Sequence, residues 1–93
     1  MSIETVARVL GLTGDEVTPI ERLVLLVLAV GGDEGGACFA NPEIIARKTG
    51  LPVKTVTQII QDLTKKGFLQ ATPLPQEDGG ETLNHYALEL WPD

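Results

Sequence analysis

The chain has 93 residues, 43% of them apolar, and a formal net charge of −6 from seven Lys and Arg against thirteen Asp and Glu. This length and apolar content suffice for one domain, residues 1–93, with a modest hydrophobic core. A single cysteine excludes an internal disulfide, and the longest apolar run, residues 23–30, is too short for a membrane span. Because no signal-peptide pattern is visible either, we expect a cytoplasmic protein without membrane contact. The negative charge is unusual for a DNA-binding protein, which ordinarily has a basic excess.

Two helices are predicted before residue 31. The first covers residues 1–11, and its apolar side is formed by Ile3, Val6, Ala7 and Leu10. The second covers residues 18–30 and opens with a capping box between Thr18 and Glu21, with Pro19 in the first turn. This helix is apolar on every side, so it must be covered all round. We expect one face to lie on the helices that follow, and the other on the amino-terminal helix or on a second copy of the chain.

A glycine-rich acidic loop, GGDEGG, follows at residues 31–36. It lacks the lysine and the preceding strand of a phosphate-binding loop, and two acids are too few for a calcium site, so we predict a plain solvated loop. Residues 37–40 are predicted to form a short strand with Phe39 in the core. Cys38 has no basic neighbour in the sequence, which favours a buried structural thiol.

A pair of helices joined by a tight turn is predicted over residues 41–66. Asn41 is a good N-cap, Gly50 ends the first helix, and the second begins near Pro52 and ends at Gly67. The apolar contacts of the first helix are Ile44, Ile45 and Ala46, and the apolar face of the second is Val53, Val56, Ile60 and Leu63. A short helix, a glycine-containing turn and a second helix with one polar face match the helix-turn-helix description.

Two strands are predicted after the second of these helices. The first covers residues 68–72, a turn follows at residues 73–80, and the second strand covers residues 82–90. Tyr86, Leu88 and Leu90 alternate onto one face of the second strand, and Trp91 is expected to cover the edge of the core. His85 faces the other way and is expected at the surface.

The run ARKTGLPVKTV, residues 46–56, followed by LTKKGFL, residues 63–69, resembles winged helix-turn-helix domains. GntR-type and MarR-type regulators are among them, and the chain most resembles the amino-terminal domains of phage and plasmid replication proteins. The resemblance extends over residues 18–90. It implies an α+β winged helix-turn-helix fold: a three-helix core, an extra amino-terminal helix and a β wing of two to three strands over residues 68–90.

Catalysis finds no support in the pattern of residues. His85 is the only histidine, and no cysteine or carboxylate pair accompanies it at the spacing of a metal or catalytic motif. We therefore expect neither an enzyme nor a cofactor.

Binding of double-stranded DNA has a physical basis in residues 41–66. A recognition helix needs side chains that reach base edges, and cations or hydroxyls that contact phosphates. The predicted DNA-binding residues are Arg47, Lys48, Lys54, Thr55, Thr57, Gln58, Gln61, Lys65 and Lys66. Gln58 and Gln61 can each pair with adenine, and Lys54 can reach a guanine or a phosphate. Five of the seven basic residues lie within residues 47–66, so this part of the chain is locally basic.

Two functions follow from these observations. The first is sequence-specific binding of double-stranded DNA in transcriptional regulation or in phage or plasmid replication initiation. The amino-terminal helix can fold back on its own chain, giving a monomer, or pair with a second copy; we favour a homodimer through these helices, which suits a palindromic site. The alternative is a protein-protein interaction module with little or no DNA binding. In that case the apolar amino-terminal helices and the acidic wing residues Glu77, Asp78 and Glu81 would dock on a protein partner.

Overall fold

The computed structural model describes residues 3–33, 36–74 and 83–90 of the chain. Its elements, in chain order, are α1 (Ile3–Gly11), α2 (Pro19–Gly31), β1 (Ala37–Ala40), α3 (Pro42–Thr49), α4 (Val53–Lys66), β2 (Leu69–Pro73) and β3 (Asn84–Leu88). The strands form one antiparallel sheet in the order β1-β3-β2, so the last strand lies between the other two. This is the predicted α+β architecture, with the two strands after α4 forming a wing. Among the described helices, none has the length and apolar content that a membrane span requires.

Helix α2 begins as predicted. The Thr18 hydroxyl accepts a hydrogen bond from the Glu21 backbone N–H at 3.2 Å, and the Glu21 carboxylate accepts one from the Thr18 N–H at 2.8 Å. This reciprocal pair satisfies two backbone donors that the first turn of a helix leaves unpaired. Within the described part of the chain, α2 is not covered on every side: Leu23 and Val30 are exposed. The buried side of the helix consists of Glu21, Val24, Leu25, Leu28 and Ala29.

The ends of α3 and α4 also follow the sequence. The Asn41 side chain caps α3 by accepting a hydrogen bond from the Ile44 N–H at 2.8 Å. Gly50 and Gly67 end the two helices with φ of +79° and +85°, a left-handed conformation that glycine adopts without a steric penalty. Pro52 precedes α4 and provides no side-chain cap.

The core lies between the helices and the inner face of the sheet. Its largest fully buried side chains are Tyr86, Leu25, Leu28, Ile45, Leu63, Val9, Val24, Val56 and Thr5. The predicted burial of Val56, Ile60 and Leu63 is confirmed, and Ile59 is buried beside them. Val53, which was predicted on the same face, is 41% exposed, since it lies at the first turn of α4, beyond the edge of the core. On α2, Val24 and Leu28 point inward, whereas Leu23 is exposed.

The predicted apolar side of α1 faces outward, except for Val6, which is partly buried against the core. Val9 and Thr5 face inward, whereas Ile3 is 80% exposed and Leu10 is 60% exposed. A contact at the end of the helix accompanies this rotation: the Arg22 guanidinium donates to the Val9 carbonyl at 2.7 Å and to that of Leu10 at 3.4 Å. This contact holds the last turn of α1 against α2 with Val9 directed into the core.

The prediction that Phe39 lies in the core is also wrong. Successive residues of a strand point to opposite faces, and in β1 it is Cys38 and Ala40 that are buried. Phe39 therefore points to the outer face, 61% exposed, where its ring contacts the His85 ring at a centroid distance of 5.2 Å. Burial raises the pKa of the Cys38 thiol more than the nearby Lys48 charge lowers it, consistent with an unreactive structural thiol.

The predicted pattern of the last strand is confirmed where the structure describes it. Tyr86 and Leu88 are buried, and Leu90 is partly buried against the core. The predictions that concern Trp91 and the acidic wing residues Glu77, Asp78 and Glu81 lie outside the described residues.

Candidate nucleic-acid interface

One stripe of α4 faces directly away from the core. Lys54, Gln58, Gln61 and Lys65 follow at spacings of four, three and four residues, and each is exposed. On a helix of 3.6 residues per turn these positions lie opposite the buried Val56 and Leu63. We call these four residues the outer stripe. It runs roughly 16 Å along the helix axis, with a cation at each end and two carboxamides between them.

The carboxamides of the stripe are the groups that can recognise bases. Each carries an acceptor oxygen and two N–H donors, which is the complement of the adenine edge in the major groove. The Gln58 Nε2 donates a hydrogen bond to the Asp62 carboxylate at 3.0 Å. Gln61 is exposed one turn further along the helix.

The two predicted threonines lie on the flanks of α4. The Thr57 side chain is exposed, and its hydroxyl donates to the Val53 carbonyl at 3.0 Å, which leaves its oxygen able to accept. Thr55 is half-buried and lines a shallow groove between α4 and the start of α2, together with Ile20 and Ile59. Thr57 is thus more accessible to a ligand than Thr55.

The cations at the end of α3 add positive charge to the same motif. Arg47 and Lys48 occupy the last turn of α3, where the negative end of the helix dipole favours them, and both are exposed. Lys48 lies near the end of α2. Its ammonium is 4.0 Å from the point that a methyl group on Gly31 would occupy. Residues 41–67 contain five cations against Glu43 and Asp62, so the motif is basic within an acidic chain.

Lys65 and Lys66 are neighbours in sequence but have different surroundings. Lys65 is exposed on the outer stripe. The Lys66 ammonium instead lies 2.7 Å from the buried Glu21 carboxylate and 3.3 Å from the Glu16 carbonyl oxygen. A phosphate contact by Lys66, as predicted, would compete with this ion pair.

The Glu21 carboxylate holds two elements together. It caps the start of α2 through Thr18 and binds Lys66 at the end of α4. Its burial raises the pKa of the carboxyl and is the largest single influence, but the hydrogen bonds from Lys66 and Thr18 and the Lys66 charge outweigh it. The pKa of Glu21 therefore lies below its ordinary value, and the group is ionised at neutral pH.

The sequence analysis missed the roles of two residues of α4. Asp62 lies beside the outer stripe, and Ile59 belongs to the buried face of α4. Their signals were present in the sequence: Asp62 is four residues from Gln58, the spacing at which helical side chains meet, and Ile59 is three residues from Val56. Within residues 3–33, 36–74 and 83–90, no group of three or more His, Cys, Asp or Glu is arranged to hold a metal ion.

The element order, the antiparallel sheet and the exposed polar stripe of the second motif helix define a winged helix-turn-helix domain. The sequence model of the helix-turn-helix domain family matches residues 16–69, more than half of the chain, and the chain belongs to that family. No curated protein matches the chain. A solved structure with the same fold is a possible transcriptional regulator from Methanosarcina mazei Go1, which is 22% identical in sequence, with a TM-score of 0.58. The match covers 94% of this chain and 65% of that one.

Proposed function

We propose that the domain binds double-stranded DNA sequence-specifically, with α4 in the major groove. The outer stripe is the observation that carries this proposal. All four side chains are exposed. With α4 in the groove, the two carboxamides would contact base edges, and the lysines at the two ends would contact the flanking phosphates. Membership in the helix-turn-helix family supports the same role, because that motif places its second helix in the major groove.

The biological setting that we propose is regulation of transcription in the cytoplasm. The structural neighbour's description as a possible transcriptional regulator supports this setting. Initiation of phage or plasmid replication, which the sequence resemblance implied, uses the same DNA contact and remains part of the proposal. Neither role involves catalysis or a cofactor.

Electrostatics provide the test of DNA binding. The wild-type domain is expected to bind duplex DNA with an affinity whose logarithm falls linearly with the logarithm of salt concentration. Replacing Arg47, Lys48 and Lys65 together by Ala should weaken binding to all sequences alike and reduce that slope by roughly 2.7, since each phosphate contact contributes about 0.9. Arg8→Ala is the control, because it removes the same kind of charge from α1, outside the motif. An unchanged slope in the triple variant would show that these residues do not contact phosphates.

We further propose that the domain pairs with a second copy through α1. The outward side of α1 carries the exposed Ile3, Ala7 and Leu10. In an antiparallel pair about a twofold axis, Ile3 of one copy lies near Leu10 of the other, so this surface complements itself. Light scattering at micromolar concentration should give twice the 10.0 kDa of one chain. Leu10→Glu should halve the measured mass without changing the helical content, and a wild-type mass near one chain would reject the dimer.

A protein-interaction module is the second candidate function. The exposed Leu23 and Val30 on α2 favour it, together with an apolar groove formed by Leu26, Val27 and Val30 beside Lys48. In this case a protein partner would remain bound after Lys54 and Gln58 are both changed to Ala. Loss of duplex binding in the same double variant would support the DNA function.

A further inference from the structure

Asp62 is an acidic residue beside the face that we assign to DNA. It is half-buried on the flank of α4 and accepts a hydrogen bond from the Gln58 Nε2 at 3.0 Å. A carboxylate in this position repels the phosphates that the nearby lysines attract, so it weakens binding to every DNA sequence. The hydrogen bond to Gln58, however, gives Asp62 a role in orienting that side chain.

The chemistry of the pair fixes which way the Gln58 amide is oriented. An ionised carboxylate only accepts hydrogen bonds, so the amide must turn its Nε2 toward Asp62 and keep its Oε1 on the far side. One N–H is used in this contact. The Oε1 and the second N–H remain together as an acceptor and a donor, which is the pair that adenine N6 and N7 require.

We propose that Asp62 is a positioning residue that makes Gln58 selective for adenine. This inference rests on the proposed binding of α4 to DNA. Without Asp62 the Gln58 side chain rotates freely and can present either end of its amide to a base, so adenine loses part of its advantage. Asp62 thus lowers affinity for DNA in general and raises discrimination at one base position, a combination that favours specificity over strength of binding.

Gln61 provides an internal comparison. The residue four positions after it is Lys65, whose ammonium carries only donors. No carboxylate at that spacing holds the Gln61 amide as Asp62 holds that of Gln58. A change at Asp62 should therefore alter the preference at the base that Gln58 contacts and leave the one contacted by Gln61 unchanged.

Selection of binding sites from a random duplex library tests this inference, with wild type, Asp62→Ala, Asp62→Asn, Gln58→Ala and the double variant Gln58→Ala/Asp62→Ala. Asp62→Ala should reduce the preference for adenine at one position by roughly 2- to 10-fold, the effect of releasing one ordered side chain. It should also tighten binding to unrelated duplexes. Asp62→Asn removes the charge and can donate as well as accept, so it no longer fixes the Gln58 amide; it should tighten general binding without restoring the full preference for adenine. In the Gln58→Ala background, removing Asp62 should leave every base preference unchanged.

Two results would overturn the inference while leaving the proposed function intact. One is an unchanged preference in Asp62→Ala. The other is an equal change of preference with and without Gln58, which would mean that Asp62 contacts a base itself. A wild-type domain that selects no sequence at all would instead overturn the proposed sequence-specific function, and this inference with it.

Discussion

Helices α2 and α4 pack against each other, yet their outward faces carry opposite chemistry. The outward face of α2 is aliphatic: Leu23 and Val30 are exposed, and Leu26 and Val27 are partly buried. The outward face of α4 is the outer stripe of two lysines and two glutamines. Apolar surface is covered by protein, whereas cations and carboxamides suit a phosphate backbone and base edges. We therefore propose that α4 contacts DNA and that a protein covers the outward face of α2.

The distribution of charge follows the same division. Residues 41–67 have more cations than acids, whereas the remainder of the chain contains eleven acids against Arg8 and Arg22. A net charge of −6 averages two regions of opposite sign. Because surface charges act over about 10 Å at ordinary ionic strength, the local sign around α4 matters more to DNA than the total.

The largest expected effect is in the core that both helices share. Leu63 is fully buried on the inner face of α4, so Leu63→Ala should lower the free energy of unfolding by about 2–5 kcal/mol, a large part of what a small domain has. Denaturant unfolding measures this loss. Gln61→Ala, on the outward face of the same helix, is the matched control and should change stability by less than about 0.5 kcal/mol. A loss below about 1 kcal/mol for Leu63→Ala would show that the inner face has been misassigned.

The next prediction distinguishes the roles of the two neighbouring lysines at the end of α4, Lys65 and Lys66. Lys66→Met removes the partner of the buried Glu21 carboxylate and should destabilise the domain by about 1–3 kcal/mol. Lys65→Met should leave stability nearly unchanged and weaken DNA binding. Urea unfolding and a duplex titration on both variants give the comparison. If Lys66→Met lowered the salt slope of DNA binding and left stability intact, Lys66 would be a phosphate contact as the sequence predicted.

The same ion pair predicts a pH dependence. The folded-state pKa of Glu21 is lowered, so its contribution to stability is present above the ordinary pKa of 4.5 and is lost as the pH falls through the lower folded-state value. Between about pH 7 and about pH 3, wild type should therefore lose more stability than Glu21→Gln. Unfolding curves at both pH values measure this difference, and parallel losses in the two proteins would contradict it.

The last predicted effects concern base recognition on the outer stripe and leave the stability of the fold unchanged. Gln58→Ala and Gln61→Ala should each cost about 1–3 kcal/mol on the preferred site and relax the preference at one position, if each side chain pairs with a base. On unrelated duplexes both variants should bind like wild type. Site selection that returns the wild-type sequence for one of them would exclude that glutamine from base recognition.

Much of this fold could be predicted from local signals. The capping box of α2, the Asn41 cap, the two glycines that end α3 and α4, and the buried alternation of Tyr86 and Leu88 each depend on a few neighbouring residues. Such signals act within one turn or one strand, so they can be recognised without knowledge of the tertiary structure. The outer stripe follows from the same periodicity, since the inner face of α4 fixes the outer one.

The features that were mispredicted depend on contacts between distant parts of the chain. The rotation of α1 accompanies a contact from Arg22 to Val9, which lies 13 residues away in sequence. The apolar character of Phe39 predicts a place in the core, but the register of β1 against β3 places Phe39 opposite His85 on the outer face of the sheet. Lys66 stays a predicted DNA contact, but its ion pair with Glu21, 45 residues away in sequence, could not be predicted from neighbouring residues.

The most direct test of the division between α2 and α4 is an NMR titration of the isotope-labelled domain with its selected duplex. The side-chain amide signals of Gln58 and Gln61 report on the outer stripe, and the methyl signals of Leu23 and Val30 report on the outward face of α2. We predict large shifts of both glutamine amides, with the α2 methyl signals nearly unchanged except for any broadening common to the whole domain. Shifts concentrated on Leu23 and Val30, with both glutamine amides unmoved, would contradict the assignment of α4 as the DNA-binding helix.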